Sequence, residues 1–213
     1  MKKFNDKYRI PSARAQWWDY SRDGIYFITI CTKNRKFYFG DIVDGEMHLS
    51  NVGVIADILW HEIPNHAKNI TLGEFQVMPN HIHGIIILDG NENGDDGNEN
   101  GGVNTNPNLE TRYALSLQSQ STDISQQSIP QTPGQKRFRN PGKNSVSTII
   151  GSYKSAVTKH AHRLGYKFQW QSRMWDNIIF NQESFDNITE YIRTNVEKWE
   201  EDKFHPNNQK STE

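Results

Sequence analysis

The stretch VMPNHIHGIIIL, residues 77–88, sets two imidazoles one residue apart in an otherwise apolar run. A β-strand alternates its side chains, so His81 and His83 would project from one face and Ile82 from the other. Two imidazoles side by side can ligate one divalent metal ion. Two solvated histidines on an edge strand satisfy the same spacing. A pair of ligands is also an incomplete set. A third candidate stands in EYIRTN, where Tyr191 and Asn195 are four residues apart and would share one face of a helix. The Asn195 carbonyl oxygen is a hard donor suited to Mg²⁺ or Mn²⁺. The Tyr191 phenol can form a covalent intermediate. Taken alone, a tyrosine and an asparagine on a helix boundary are usually structural. Tyr153, within the basic stretch SYKSAVTK, is the competing nucleophile. Tyr191 is preferred because Asn195 gives it a metal-ligating neighbour on its own helix. His160 and His162 would point to different helix faces and stay outside the ligand set.

These residues need a scaffold. IYFITICT (25–32) reads as a central strand, β-branched and aromatic throughout. Gly40 and Asp44-Gly45 mark turns in a hairpin or loop over 33–50. Ser50-Asn51 can cap a helix over about 52–63, with Val54, Ile55, Ile58, Leu59 and Ile63 as its apolar stripe and Pro64 as its stop. ITLGEFQVM (70–78) and HIHGIIIL (81–88) read as strands. A helix over 145–165 follows, with Ile149, Ile150, Tyr153, Ala156 and Val157 apolar and Lys154, Lys159 and Arg163 exposed. A strand near 174–180 and a helix over 181–202 complete the order. Its first six elements form the split β-α-β pattern of the ferredoxin-like fold. The expected class is α+β: a mostly antiparallel sheet with helices on one face, plus a C-terminal helix carrying Tyr191.

Composition bounds the rest. Residues 89–144 are Asn-, Gly-, Gln- and Ser-rich and hold too few apolar side chains to offset ordering entropy, so they read as a disordered insertion in one domain of 25–88 and 145–202. Residues 1–24 read as a basic, aromatic arm and 203–213 as a tail. The formal charge of −1 over 213 residues advertises no global nucleic-acid field, although an acidic insert can mask a basic face. The single cysteine, Cys31, lies in the apolar strand and reads as core, which excludes an intramolecular disulfide and fits a reducing cytosol. No apolar run reaches membrane-spanning length, and a cytoplasmic location is expected.

Four stretches, YFITICTKNR, EFQVMPNHIHGIII, STIIGSYKSAVTK and WDNIIFNQESFDNITEYIRTNVEKW, together cover most of the chain outside 89–144. In them the sequence resembles the REP-associated tyrosine transposases and the related single-tyrosine HUH transposases. VMPNHIHGII is the most specific, because the two histidines around a hydrophobic residue are that family's signature. The resemblance implies that His81 and His83 are metal ligands, that Asn195 holds the third position, and that Tyr191 is the nucleophile. It implies a ferredoxin-like sheet with the histidines on a central strand. It also implies a function: cutting and rejoining single-stranded DNA beside hairpins through a 5′-phosphotyrosine, with Mg²⁺ or Mn²⁺ as cofactor. Either a monomer or a homodimer fits.

Such DNA would reach the site unpaired. Trp17, Trp18 and Trp175 can stack on bases, and Arg14, Arg137, Arg139, Lys154 and Arg163 can track the backbone. A cupin-type enzyme also uses a His-x-His strand, but its later Glu and His ligands would fall in the low-complexity stretch. An amidohydrolase barrel needs a longer chain. The remaining alternative is a domesticated, non-catalytic DNA-hairpin-binding protein.

Overall fold

A computed structural model describes residues 22–89 and 145–208, together with residues 3–4, 7–8 and 20. The central strand β3 (Gly24–Thr32) is buried along its whole length. The short pair β1 (Lys3–Phe4) and β2 (Lys7–Tyr8) precedes it in the chain. The hairpin of β4 (Gly40–Val43) and β5 (Glu46–Leu49) follows. Its two-residue turn places Asp44 at φ 53 and Gly45 at φ 79, the left-handed pair that Asp-Gly signals. Helices α1 (Asn51–His61) and α2 (Ile63–His66) lead to β6 (Ile70–Met78) and β7 (His81–Leu88). Helix α3 (Val146–Arg163), strand β8 (Trp170–Ile179) and helix α4 (Gln182–Arg193) complete the domain.

Four strands form one sheet in the order β6-β7-β3-β8, and every neighbouring pair is antiparallel. With α1 between β3 and β6, and α3 between β7 and β8, this is the expected ferredoxin-like arrangement. Elements on both sides of residues 90–144 build the same sheet, while the stretch expected to be disordered lies outside the described residues apart from its first position and its border.

Period-two alternation divides the sheet into two faces. Tyr26, Ile28 and Ile30 of β3 join Ile82, Ile86 and Leu88 of β7 beneath α1 and α3. Ile25 and Phe27 join Ile85 and Ile87 on the other face, against Phe185 and Ile192 of α4. His81 and His83 share the alternation of Ile85 and Ile87. The histidine pair therefore lies on the face that α4 covers.

Two sequence expectations change. Helix α1 buries Val52, Gly53, Ala56 and Trp60, while Val54 and Ile58 are exposed. Almost every residue of VGVIADILW is apolar, so hydrophobicity alone barely selects a face, and shape decides instead. Gly53 lets α1 approach the carbonyl of Phe39, where a Cβ would come within 2.1 Å of that oxygen. Trp60 packs against Gly84 of β7 and stacks on Phe75 at 4.7 Å. Helix α4 ends at Arg193 rather than near residue 202. Beyond it the chain turns back through a 3₁₀ turn at Trp199–Glu201.

Gly84, which follows the histidine pair, now has a physical reason. A Cβ there would lie 2.3 Å from Cζ2 of the fully buried Trp60 ring. Gly84→Ala is expected to cost about 2–3 kcal/mol in urea unfolding, because neither the indole nor the central strand can move aside cheaply. An alanine variant as stable as the parent would show that the Trp60 packing is wrong.

Candidate metal centre and nucleophile

The turn Pro79-Asn80 joins β6 to β7 and delivers His81 at the first position of the strand. Each imidazole is held from behind. His81 Nδ1 lies 2.8 Å from Asn80 Oδ1, and Asn80 Nδ2 donates to the Phe204 carbonyl at 2.9 Å. That second bond orients the Asn80 amide, so Oδ1 is an acceptor and His81 Nδ1 carries the proton. His83 Nδ1 meets Thr29 Oγ1 at 2.9 Å. Both Nε2 atoms then face one another at 3.0 Å. Ligands around a divalent ion at about 2.1 Å stand roughly 3 Å apart, so the pair has ligand spacing. Burial pushes both imidazoles well below the usual histidine range, reinforced at His81 by the charges of Arg35 and Lys203. Both rings are neutral, the form that binds metal.

A carboxylate completes the cluster. One ligand atom each from His81, His83 and Asp202 lies within 4.8 Å of the others, and all three residues are buried. Asn195 is 2% exposed and donates Nδ2 to Asp202 Oδ2 at 3.0 Å. Its Oδ1 is buried and has no hydrogen-bond partner among the described residues. Two neutral imidazoles, a carboxylate and an orphaned amide oxygen fit a divalent cation of borderline-to-hard character.

Tyr191 stands at the edge of this set. Its hydroxyl lies 3.2 Å from His83 Nε2 and donates to Asp202 Oδ2 at 3.2 Å. The ring packs edge-on against Phe27 and stays 38% exposed, so the oxygen is reachable from solvent. Burial, then the negative charge and hydrogen bond of Asp202, push the phenol well above its ordinary pKa. In this state it is a protonated phenol with its proton directed at a carboxylate.

A protein of Haemophilus influenzae, described as uncharacterized, is 30% identical over 195 residues, spanning 91% of this chain and 92% of that protein. The two chains belong to one family. No family model matches this chain. Among solved structures, that of a REP-associated tyrosine transposase bound to a REP hairpin is similar at 16% identity and a TM-score of 0.43, over 93% of this chain and 74% of that one.

In this member of the family, then, His81, His83, Asn195 and Tyr191 come together. Tyr153 does not join them. It is 3% exposed, lies on the opposite face of the sheet, and donates its hydroxyl to the Ala56 carbonyl at 2.8 Å. Burial raises its pKa well above the ordinary value. The competing nucleophile is thus a core residue. Lys154 is also not the exposed cation expected: it is half-buried and donates to the Gln171 carbonyl at 2.7 Å. Arg163 is exposed at the end of α3. Arg14, Trp17, Trp18, Arg137 and Arg139 lie outside the described residues. Cys31 is buried and free, as its apolar neighbours suggested. No helix among the described residues is long and apolar enough to cross a membrane.

Asp202 is the site residue that sequence reasoning missed. Its Oδ2 accepts from Tyr191 and Asn195, and its Oδ1 accepts the Phe204 N–H at 2.6 Å. Asp202→Ala would strand the buried Asn195 amide and the Phe204 N–H. Each unsatisfied group costs about 1–3 kcal/mol, so a loss near 3 kcal/mol is expected in urea unfolding, with Asp202→Asn recovering part. An alanine variant of unchanged stability would contradict this network.

Proposed function

We propose that the chain is a metal-dependent, single-tyrosine DNA-processing enzyme that cuts and rejoins single-stranded DNA beside hairpins, as a transposase of the HUH type does. The observation that carries the reading is the placement of the Tyr191 hydroxyl 3.2 Å from His83 Nε2, beside a buried His, His, Asp and Asn set. A simple hydrolase needs the ligands and a water. A reachable phenol hydrogen-bonded to a carboxylate is what covalent phosphoryl transfer needs in addition.

In this reading His81 and His83, with the oxygens of Asp202 and Asn195, would hold Mg²⁺ or Mn²⁺. The cation supplies Lewis acidity toward the oxygens of a phosphodiester. The Tyr191 oxygen attacks phosphorus in line, and Asp202 is placed to take the phenolic proton. A Tyr–O–P bond forms, the P–O3′ bond breaks, and the departing 3′ oxygen takes up a proton from water. The products are a 5′-phosphotyrosine and a strand ending in a 3′-OH. The phosphoester bond is conserved, so another 3′-OH can reverse the step and join strands without ATP. Residues 25–88 and 145–202 act as the catalytic domain, with 89–144 inserted between metal strand and helix α3.

Trp175 gives the reading a DNA-binding surface. It pairs with Thr29, which pairs with His83, so the three share one face of the sheet across three strands. The indole is 52% exposed. A base stacked on a tryptophan contributes about 1–3 kcal/mol. Trp175→Ala is expected to weaken oligonucleotide binding by about tenfold or more and to change unfolding stability by less than about 0.5 kcal/mol. Unchanged affinity would remove Trp175 from the DNA path.

The test of the function is a pool of hairpin-bearing single-stranded oligonucleotides from DNA flanking the gene, incubated with the protein and Mn²⁺ or Mg²⁺. A protein–DNA adduct on a denaturing gel, abolished by EDTA, is expected. Tight hairpin binding with no adduct under either metal would sink the enzyme and leave a hairpin-binding protein.

A further inference from the structure

We propose that Arg35, which stands between the Phe204 ring beside His81 and a cleft at the end of the sheet, binds a phosphodiester of the DNA strand. This rests on the reading of the site as DNA-cleaving. The 3₁₀ turn Lys33–Arg35 follows β3 directly. It holds two consecutive non-glycine residues in the left-handed region, Asn34 at φ 56 and Arg35 at φ 53. Such backbone is costly and persists where its surroundings impose it. Here Lys33 N donates to the Gln169 carbonyl at 2.9 Å, and Thr32 Oγ1 donates to the Lys36 carbonyl at 2.7 Å.

The turn places the Arg35 guanidinium 4.0 Å over the Phe204 ring. Lys203 Nζ lies 4.7 Å from the same ring, and that ring is 4.5 Å from the ring of His81. Two cations therefore meet at an aromatic side chain that touches the metal centre. Among the described residues no ion pair joins either one to a carboxylate, and Arg35 Nη1 is buried without a hydrogen-bond partner. A guanidinium cannot shed its charge to relieve this. The two non-bridging oxygens of a phosphodiester suit such a guanidinium fork.

The cleft points to the same ligand. It encloses about 790 Å³ between this turn, the last turns of α3 and the start of β8. Lys33, Arg35, His162, Trp170 and Gln171 contribute to its walls, and among the described residues no carboxylate lines it. Cationic, amide and aromatic groups without opposing acids suit a polyanionic strand with stackable bases.

The experiment is fluorescence anisotropy with a short labelled oligodeoxythymidylate in EDTA, which reads binding apart from cleavage. The proteins are wild type, Arg35→Gln, Arg35→Lys and Lys33→Gln, each checked by thermal melting and by Mn²⁺ titration. Arg35→Gln is expected to weaken binding by about tenfold or more, and to reduce the slope of log K against log salt by roughly 0.7, because one phosphate is no longer neutralised. Arg35→Lys recovers part of the affinity, because it keeps the charge and loses the fork. Lys33 is exposed on the same turn, so Lys33→Gln tests the cleft even if Arg35→Gln unfolds. Wild-type binding with the same affinity and salt slope in both glutamine variants overturns the proposal and leaves the DNA reading standing. A wild-type protein that binds no oligonucleotide at low salt overturns both.

Discussion

Tyr191→Phe is expected to abolish the protein–DNA adduct while leaving metal binding in place. The substitution removes one oxygen and keeps the ring against Phe27 and His83, from which its centroid is 6.2 Å and 5.2 Å. Asp202 loses one of its hydrogen bonds but keeps the amide of Asn195 and the N–H of Phe204. The ligand atoms of His81, His83 and Asp202 are untouched. Mn²⁺ titration of the variant should therefore match the parent within a few-fold, and its stability should change by about 1 kcal/mol or less. Adduct formation should fall below detection, since the other described hydroxyl at the histidine pair, that of Thr29, is buried behind His83 on its Nδ1, and Tyr153 is across the sheet. An adduct persisting in Tyr191→Phe would reassign the chemistry.

His83→Ala carries the second large effect, on the metal. His83 Nε2 is the atom that links the cluster, 3.0 Å from His81 Nε2 and 3.2 Å from the Tyr191 hydroxyl. Loss of an outer partner of a metal ligand costs about 10–100-fold in affinity, and loss of the ligand itself should exceed that range. Calorimetric titration with Mn²⁺ is expected to show no resolvable binding, and adduct formation should vanish with it. The variant will also be less stable by about 2–3 kcal/mol, because the fully buried imidazole leaves a void and strips Thr29 of its partner. His83→Gln is the companion that fills more of the space. Parental Mn²⁺ affinity in both would exclude this cluster as the metal centre.

Much of this site is legible in the sequence because strand periodicity is rigid. Two histidines two residues apart must share a face, and a run of β-branched residues beside them fixes the strand. Tyr191 and Asn195 are readable from helical spacing, although Asn195 sits just past the last turn of α4, where its N–H reaches the Ile192 carbonyl at 3.3 Å. Asp202 is not readable. RTNVEKWEED contains no glycine or proline and is rich in helix formers, so nothing local ends the helix. Tertiary packing ends it: Trp199 is 7% exposed, with its ring 5.9 Å from Phe37 and 6.0 Å from His81, and that docking folds Asp202 back onto the histidines. The buried Tyr153 is legible as an apolar position of its helix, whereas the exposed Val54 and Ile58 escape the sequence for a related reason. Their environment is set by Trp60 seated on Gly84, a packing between residues distant in sequence that periodicity alone does not register.

The most direct measurement is mass spectrometry of the proteolysed adduct formed by the wild-type protein on a hairpin-bearing single strand with Mn²⁺. The expected result is a nucleotide phosphate mass on the peptide that carries Tyr191, in ester linkage to its phenol. A nucleotide mapped to another residue, or quantitative strand cleavage with no modified peptide, would contradict covalent catalysis by Tyr191 and leave the cluster to activate water instead.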